Sequence, residues 1–236
     1  MTKGLFVVGT DTGVGKTVVT AGLVGVLRTK GYNAVPFKPV QSGAVQGPRG
    51  LIPLDVEFYQ KVCSLPKDKY ITYVFEPPLA PGPAAEISGV RVEAARILQD
   101  YAVLAEKYEL IVVEGAGGLC VPLIGNTFLL TDLIKTIDLP VIVVARPGLG
   151  TINHTVLTVK YAQQLGLRIK GIIYNGYDEK NATLAEKTNP NIIEQITGVP
   201  TLGIIPRGRN IDVERGQVGN CLEIIQDNID FSLLLK

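Results

Sequence analysis

The chain has 236 residues, of which 46% are hydrophobic and 19% are charged, a composition typical of globular proteins and not of disordered ones. The 23 lysines and arginines almost balance the 22 aspartates and glutamates, so no global basic field favours nucleic acid or a membrane surface. The longest apolar runs, such as Leu139–Ala145, are too short for a membrane span. Three cysteines without a CxxC pair argue against a disulfide framework and a structural zinc site. We therefore expect neither a nucleic-acid nor a membrane partner, and a reducing, cytoplasmic setting.

Short apolar runs alternate with longer segments of helical spacing. In chain order, this pattern predicts strand Leu5–Val8, helix Lys16–Lys30, strand Val35–Phe37, helix Val90–Glu106, strand Leu110–Val113, helix Thr131–Ile137, strand Val141–Ala145, helix Thr151–Leu165, strand Ile169–Tyr174, helix Pro190–Thr197 and strand Leu202–Ile205. The strands are nearly continuous in Val, Ile and Leu, which is typical of strands buried on both faces. Their alternation with helices predicts right-handed βαβ units. The expected fold class is α/β, a single domain over residues 1–236 with a mainly parallel sheet flanked by helices on both faces.

Two segments interrupt this alternation. The glycine- and proline-rich segment Gln41–Pro53 predicts a loop, and the proline-dense segment Glu76–Pro83 predicts irregular structure. Ligands of parallel sheets bind at the carboxyl ends of the strands. The residues that directly follow the predicted strands are therefore the first candidates for function.

A glycine-rich loop follows the first predicted strand and precedes the first helix, and residues 9–17 read GTDTGVGKT. Gly13 and Gly15 allow backbone N–H groups to turn inward and line a phosphate. Lys16 supplies a cation for the β- and γ-phosphates, and Thr17 supplies a hydroxyl for Mg²⁺. The alternative is a strand–helix turn without a ligand. The position between a strand and a helix favours a nucleoside triphosphate site.

Two acidic residues are candidates for the metal that accompanies such a nucleotide. Glu114 follows the strand Leu110–Val113 and opens the glycine-rich segment Glu114–Gly118. A carboxylate at a strand's carboxyl end, beside glycines that clear space, indicates a metal ligand, and the alternative is a solvated turn. Asp55 lies where a loop passes into a helix, so a metal ligand and a helix cap both remain open.

Four segments together resemble the dethiobiotin synthetase family, within the broader P-loop class that includes the partitioning and nitrogenase-iron-protein ATPases. The general pattern GxxxxGK[ST] has a glycine where this chain has Thr10, and this family shows the same departure. Asp11 stands where the partitioning ATPases have a lysine. The resemblance covers nearly the whole chain, and its segments are GTDTGVGKT at 9–17, FKPVQSG at 37–43, VEGAGG at 113–118 and GLGTINHT at 148–155.

The resemblance implies an ATP-dependent ligase of biotin biosynthesis. Such an enzyme closes a cyclic urea on 7,8-diaminononanoate with CO2, through a carbamate and a carbamic-phosphoric anhydride. The expected catalytic residues are Lys38, Lys16, Thr12 and Ser42, because three anionic groups must meet and need fixed cations and donors. Carried over by position, Thr17, Asp55 and Glu114 are expected to bind Mg²⁺, and Asn175 is expected to contact the adenine. The residues expected to bind the rest of ATP are Thr10, Asp11, Gly13, Val14, Gly15 and Gly117.

The resemblance also implies a homodimer. In the family, the turn that contains Gly150 and Asn153 meets the substrate carboxylate across the dimer interface. A helix N-terminus with free N–H groups suits a carboxylate. His154, in the first turn of the same helix, is expected to be structural.

For two of these residues, the sequence alone leaves another interpretation open. In isolation Lys38 is typical of a surface lysine at a strand end, and Asn175 before Gly176 is typical of a turn. The chain has Gly82 where family members commonly have a histidine, which puts substrate contacts of that loop in doubt. A partitioning-type ATPase switch is the alternative function, although the tail Phe231–Lys236 is a poor membrane anchor.

Overall fold

A computed structural model describes residues 3–236 of the chain. The strands are β1 (Lys3–Gly9), β2 (Ala34–Gln41), β3 (Val45–Gly47), β4 (Gly50–Ile52), β5 (Ile71–Val74), β6 (Leu110–Glu114), β7 (Pro122–Ile124), β8 (Phe128–Leu129), β9 (Val141–Ala145), β10 (Ile169–Tyr177), β11 (Thr201–Pro206), β12 (Ile211–Asp212) and β13 (Gln217–Val218). The helices are α1 (Lys16–Thr29), α2 (Leu54–Cys63), α3 (Pro81–Ile87), α4 (Ala94–Lys107), α5 (Leu130–Ile137), α6 (Thr151–Gln164), α7 (Leu184–Thr197), α8 (Cys221–Asn228) and α9 (Phe231–Leu235).

The central sheet has seven strands in the order β11-β10-β9-β1-β6-β2-β5, and each neighbouring pair is parallel. β6 and β9 are buried along their whole length, which explains their continuous apolar sequences. The helices that connect the strands pack on the sheet, for example α1 on β2 and β6, and α6 on β9 and β10. The predicted α/β fold class with a parallel sheet is confirmed.

The register of three central strands determines which residues can meet at the sheet edge. β1 pairs with β6 so that Val7 lies beside Glu114, and β2 pairs with β6 so that Phe37 lies beside Val113. Lys38 therefore stands level with Glu114 at the carboxyl end of the sheet. The loop that follows β1 leads into α1 at the same edge.

Both segments that the sequence predicted to be irregular contain regular structure. Gln41–Pro53 includes the antiparallel hairpin of β3 and β4. The prediction for Glu76–Pro83 is wrong at its end, because α3 begins at Pro81. Proline is favoured in the first turn of a helix, where its missing N–H would have no intrahelical partner.

The predicted helix Pro190–Thr197 begins too late. α7 starts at Leu184, because the Thr183 side chain accepts from the Glu186 N–H and the Glu186 carboxylate accepts from the Thr183 N–H. Pro190 consequently lies inside the helix.

Within residues 3–236, no helix is both long and apolar enough to cross a bilayer. The assignment of residues 1–236 to a single domain stays a prediction.

Candidate active site

A cleft of about 840 Å³, the main cleft, opens at the carboxyl ends of β1, β2 and β6. Parallel sheets bind ligands at this edge because strand ends and helix N-termini meet there. The structure thus brings together side chains that are far apart in the sequence. The predicted site residues that line the main cleft are Thr12, Gly13, Gly15, Lys16, Thr17, Lys38, Ser42, Asp55, Glu114 and Gly117.

The glycine-rich loop at residues 9–17, the phosphate loop, has the backbone that its glycines allow. Gly13 and Gly15 have φ angles of 71° and 93°, in the left-handed region that favours glycine. The Lys16 ammonium donates to the Asp11 carbonyl at 3.0 Å and so folds back over the loop. Burial lowers the pKa of Lys16 to about 8, and a bound anion would favour its charged form again.

Three predicted nucleotide contacts, Thr10, Asp11 and Val14, belong to the phosphate loop but do not line the main cleft. The Thr10 N–H donates to the Val144 carbonyl at 3.0 Å, which ties the loop to the end of β9. The Val14 side chain is buried in the core. Side-chain contact with a ligand in this cleft would therefore come from other residues of the loop.

Asn175 faces the phosphate loop from β10. Its Nδ2 donates to the Val14 carbonyl at 3.0 Å, and a Cβ at Gly15 would collide with its amide. The sequence predicted that the strand ends at Tyr174, before Asn175. β10 in fact runs to Tyr177, so Asn175 lies inside the strand. The left-handed backbone expected of a turn occurs at Gly176, with a φ of 91°. The contact of Asn175 with adenine stays a prediction.

Lys38, Asp55 and Glu114 form a buried ionic cluster, the Lys38 cluster. The Lys38 Nζ lies 2.6 Å from Asp55 Oδ2 and 2.5 Å from Glu114 Oε1. Lys38 and Glu114 are only 4% and 1% exposed, so Lys38 is not the surface lysine that its position in isolation suggested. Burial alone would lower the pKa of Lys38, but Asp55 and Glu114 outweigh it and hold that pKa above its usual range.

Helix α2 brings Asp55 to this cluster. The Asp55 N–H donates to Gln41 Oε1 at 3.3 Å, which ties the start of α2 to the end of β2. One helical turn later, the Tyr59 hydroxyl donates to Glu114 Oε2. Burial, followed by the charge of Glu114, raises the pKa of Tyr59 well above its usual value. No sequence pattern distinguished Tyr59 as a site residue, because an aromatic residue at helical spacing is typical of a core.

Arg146 is a second residue of the site that was not predicted from the sequence. It directly follows β9, and its guanidinium donates to the Thr12 carbonyl at 3.0 Å and to the Asp11 carboxylate at 3.4 Å. The Thr12 N–H, and after it Arg146, holds the pKa of Asp11 below its usual value. The position of Arg146 directly after a buried strand was the sequence signal that could have identified this residue.

The oxygen atoms of Thr17, Asp55 and Glu114 fit a magnesium ion. Both carboxylates lie within 2.6 Å of the same Lys38 nitrogen, and the Thr17 hydroxyl donates to Glu114 Oε1 at 3.1 Å. Mg²⁺ prefers oxygen ligands and usually takes one or two carboxylates together with substrate phosphates. Residues 3–236 contain no cluster of three or more His, Cys, Asp or Glu side chains suited to a metal. Because Mg²⁺ usually has substrate phosphates among its ligands, these three side chains would share the ion with a nucleotide.

Gly150 and Asn153 do not reach the main cleft. They line a second groove of about 480 Å³ at the start of α6, together with Leu149, which is 98% exposed. Asn189 on α7 shapes this turn, because its Nδ2 donates to the carbonyls of Pro147 and Gly148 at 2.9 and 3.1 Å. In one chain, the predicted carboxylate site and the predicted phosphate site are therefore separate.

Gly82 is buried in α3 and does not line the main cleft, although the neighbouring Ala80 and Pro81 do. A Cβ at Gly82 would lie 3.1 Å from the Gly125 carbonyl and 3.3 Å from the Pro122 carbonyl. A histidine at this position would therefore require those carbonyls to move. This loop faces the main cleft through Pro78–Pro81 instead.

A parallel α/β sheet whose first strand leads into a phosphate loop, with the Lys38 ammonium from β2 and the carboxylate of Glu114 at the end of β6 beside that loop, defines a P-loop nucleotide-binding protein. A family profile described as "AAA domain" matches residues 3–215, which agrees with this class.

Curated relatives make the assignment narrower. The chain is 44% identical over 212 residues to the ATP-dependent dethiobiotin synthetase BioD of Clostridium novyi (strain NT), a match that covers 88% of each chain. It is 42% identical over 235 residues to the protein of the same name from Bacillus subtilis (strain 168), covering 99% of this chain and 98% of that one. The chain belongs to the dethiobiotin synthetase family, as the four sequence segments predicted.

Solved structures are similar in fold at low sequence identity. A ParA family ATPase from Chlorobium tepidum TLS superimposes with a TM-score of 0.61 at 15% identity, covering 96% of this chain and 98% of that one. The MinD cell division protein of Aquifex aeolicus gives a TM-score of 0.58 at 14% identity, covering 95% and 94%. At these identities the likeness shows the fold alone.

Proposed function

We propose that the chain catalyses the ATP-dependent closure of a cyclic urea on 7,8-diaminononanoate, a ligase reaction of biotin biosynthesis. The substrates are the diamine, CO2 and ATP, and the products are dethiobiotin, ADP and phosphate. Membership of the dethiobiotin synthetase family supports this reaction. The observation that carries it is that the phosphate loop and the buried ammonium of Lys38 border one cleft. The balanced charge and the free cysteines support a cytoplasmic location.

The proposed chemistry has three steps and needs no covalent bond to the protein. One amine adds to CO2 and loses a proton, which gives a carbamate. A carbamate oxygen attacks the γ-phosphorus of ATP, ADP leaves, and a carbamic-phosphoric anhydride forms. The second amine attacks the anhydride carbonyl, loses a proton and expels phosphate, which closes the ring. The protein then contributes positioning and charge neutralisation.

Four residues of the main cleft are proposed to do this work. Lys16 would neutralise the ATP phosphates, and Lys38 would neutralise the carbamate and the transferring phosphoryl group. Both ammonium groups are buried, and low dielectric surroundings strengthen their attraction for anions. The hydroxyls of Thr12 and Ser42 line the same cleft and can donate to the carbamate.

The remaining proposed roles concern the metal and the nucleotide. Thr17, Asp55 and Glu114 would hold Mg²⁺ together with the phosphates, and the ion would supply charge neutralisation at the transferring phosphoryl group. The residues proposed to contact the rest of the nucleotide are Thr10, Asp11, Gly13, Val14, Gly15, Gly117 and Asn175.

ATP turnover with and without the diamine tests the proposed function. The ligase is expected to release ADP and dethiobiotin in equal amounts, and only when 7,8-diaminononanoate and bicarbonate are both present. A partitioning-type ATPase switch would hydrolyse ATP without regard to the diamine. Diamine-independent hydrolysis without dethiobiotin would therefore overturn the proposal.

We also propose a homodimer whose active sites are shared between chains. The separation of Gly150 and Asn153 from the main cleft of the same chain supports this arrangement. The phosphate loop of one chain would then face the α6 N-terminus of its partner, where free N–H groups can bind the substrate carboxylate.

Mixing two inactive variants tests the shared site. We expect a mixture of Lys16→Ala and Asn153→Ala proteins to recover about a quarter of wild-type turnover, because half of randomly mixed dimers are hybrids with one intact site. Turnover is measured after subunit exchange has been verified with fluorescently labelled chains. Lys16→Ala protein mixed with itself is the control. Complete exchange without recovered turnover would count against a shared site.

A further inference from the structure

The two carboxylate oxygens of Glu114 have different partners. Oε1 accepts from the Lys38 ammonium at 2.5 Å and from the Thr17 hydroxyl at 3.1 Å. Oε2 accepts from the Tyr59 hydroxyl. Glu114 is 1% exposed and Tyr59 is fully buried, so water does not compete for the hydrogen bond between Tyr59 and Oε2. One oxygen therefore belongs to the catalytic side of the carboxylate, and the other is held by the core.

Helix α2 presents two groups to this carboxylate site on one face. Asp55 and Tyr59 are four residues apart, and side chains at this spacing lie one above the other on a helix. Asp55 reaches Lys38, and Tyr59 reaches the far oxygen of Glu114. The position of α2 is thus coupled to the orientation of Glu114 at the end of β6.

A buried carboxylate oxygen without a donor is costly, and it turns toward any donor within reach. Without the Tyr59 hydroxyl, the Glu114 carboxylate could rotate about its terminal torsion. Either of its oxygens could then accept from Lys38 and Thr17. Hydrogen bonds to the outer oxygen of a ligating carboxylate fix its orientation, and their loss typically costs tenfold to a hundredfold in metal affinity or activity.

We propose that Tyr59 is a positioning residue that holds Glu114 so that only Oε1 faces the main cleft for the metal of the ligase reaction. This inference rests on the proposed function, because it assumes that Glu114 binds the metal. Tyr59 itself touches neither metal nor substrate, and it acts through Glu114 alone.

The test measures Mn²⁺ binding in the presence of the non-hydrolysable β,γ-imido analogue of ATP, with free Mn²⁺ determined by electron paramagnetic resonance. Tyr59→Phe is expected to weaken Mn²⁺ binding about tenfold and to raise the Mg²⁺ concentration for half-maximal turnover by a similar factor. Binding of the analogue in EDTA is expected to stay unchanged. The phenyl ring keeps the buried volume, and circular dichroism verifies that the variant is folded.

Tyr70→Phe is the matched control. Tyr70 is also buried, and its hydroxyl donates to the Pro66 carbonyl at 2.7 Å, away from the main cleft. This variant loses a buried tyrosine hydroxyl too, but its Mn²⁺ binding is expected to equal that of the wild type. An equal loss of Mn²⁺ affinity in both variants would mean that Tyr59 has only a general structural role.

Variants at Glu114 separate this inference from the proposed function. Glu114→Gln is expected to weaken Mn²⁺ binding, and Tyr59→Phe in that background is expected to add no further loss. If Glu114→Gln leaves Mn²⁺ binding intact, the metal role of Glu114 is wrong, and the inference fails with it. If Glu114→Gln weakens binding but Tyr59→Phe does not, only the positioning role is overturned. A Tyr59→Phe loss of equal size in both backgrounds would also overturn it.

Discussion

The Glu114→Gln variant is expected to fold and to bind ATP, but to turn over at least about a hundredfold more slowly than the wild type, a loss of roughly 3 kcal/mol in transition-state stabilisation. In the proposed reaction, Glu114 is a ligand of the metal that neutralises the transferring phosphoryl group. An amide of the same shape lacks the charge that the metal needs. Turnover, ATP binding and urea unfolding are measured on one preparation.

The structure gives a reason for the expected survival of the fold. The amide oxygen of the new side chain can accept from Lys38 and Thr17, and its NH₂ group can donate to the Tyr59 oxygen, so each buried group keeps a partner. Lys38 also keeps its ion pair with Asp55 at 2.6 Å.

Glu57→Gln is the control for this prediction. Glu57 is exposed and lies on α2 between Asp55 and Tyr59, outside the main cleft. The Glu57→Gln variant also loses one negative charge, from the helix that carries Asp55. Its turnover is expected to match that of the wild type. A folded Glu114→Gln protein with near-normal turnover would remove Glu114 from the metal role.

The parts of the fold predicted from the sequence are those in which burial leaves a one-dimensional pattern. The strands β1, β6 and β9 lie in the middle of the sheet, and burial on both faces makes their sequences continuously apolar. β5 was missed because it is a short edge strand, and only one of its four residues is buried. Helix α2 was anticipated only as a loop-to-helix passage at Asp55, although Val56, Tyr59 and Cys63 are buried at helical spacing.

The candidate site could be predicted in part for a topological reason. The carboxyl ends of parallel strands meet at one edge, so the loop after β1, Lys38 in β2 and Glu114 in β6 had to lie near one another. Hydrogen-bond partners across such distances follow no sequence pattern. The Tyr59 hydroxyl finds Glu114 only because α2 packs beside the strand ends, and the pairing of Lys38 with two carboxylates depends on the same packing. The resemblance supplied the role of Lys38 but not its ion pairs.

The second large effect is expected for Lys38. Lys38→Gln should reduce turnover about a hundredfold, or roughly 3 kcal/mol, with little change in ATP affinity. The carbamate and the γ-phosphate are both anionic, so their encounter is repulsive until cations intervene. Lys16 belongs to the phosphate loop, which leaves Lys38 as the cation for the carbamate side. Its attraction grows as charge moves in the transition state, which lowers the barrier.

The same substitution is also expected to destabilise the folded protein. Lys38 is the cation between Asp55 and Glu114, and its removal leaves two like charges facing each other in a buried site. Breaking a buried ion pair by removing one partner typically costs about 3 to 5 kcal/mol. The double variant Lys38→Gln with Glu114→Gln removes one of the two unpaired charges. Its loss in the free energy of unfolding, measured with urea, should therefore be smaller than the sum of the losses of the two single variants.

Lys69→Gln distinguishes this buried effect from that of an ordinary ion pair. Lys69 also lies 2.6 Å from a carboxylate, that of Asp100, but its side chain is 51% exposed. Its loss is expected to cost less than about 1 kcal/mol and to leave turnover unchanged. For Lys38→Gln, turnover and ATP binding are measured without urea, at a temperature where the variant is fully folded. Unchanged turnover with merely weaker ATP binding would show that Lys38 contacts the nucleotide and does not serve the carbamate.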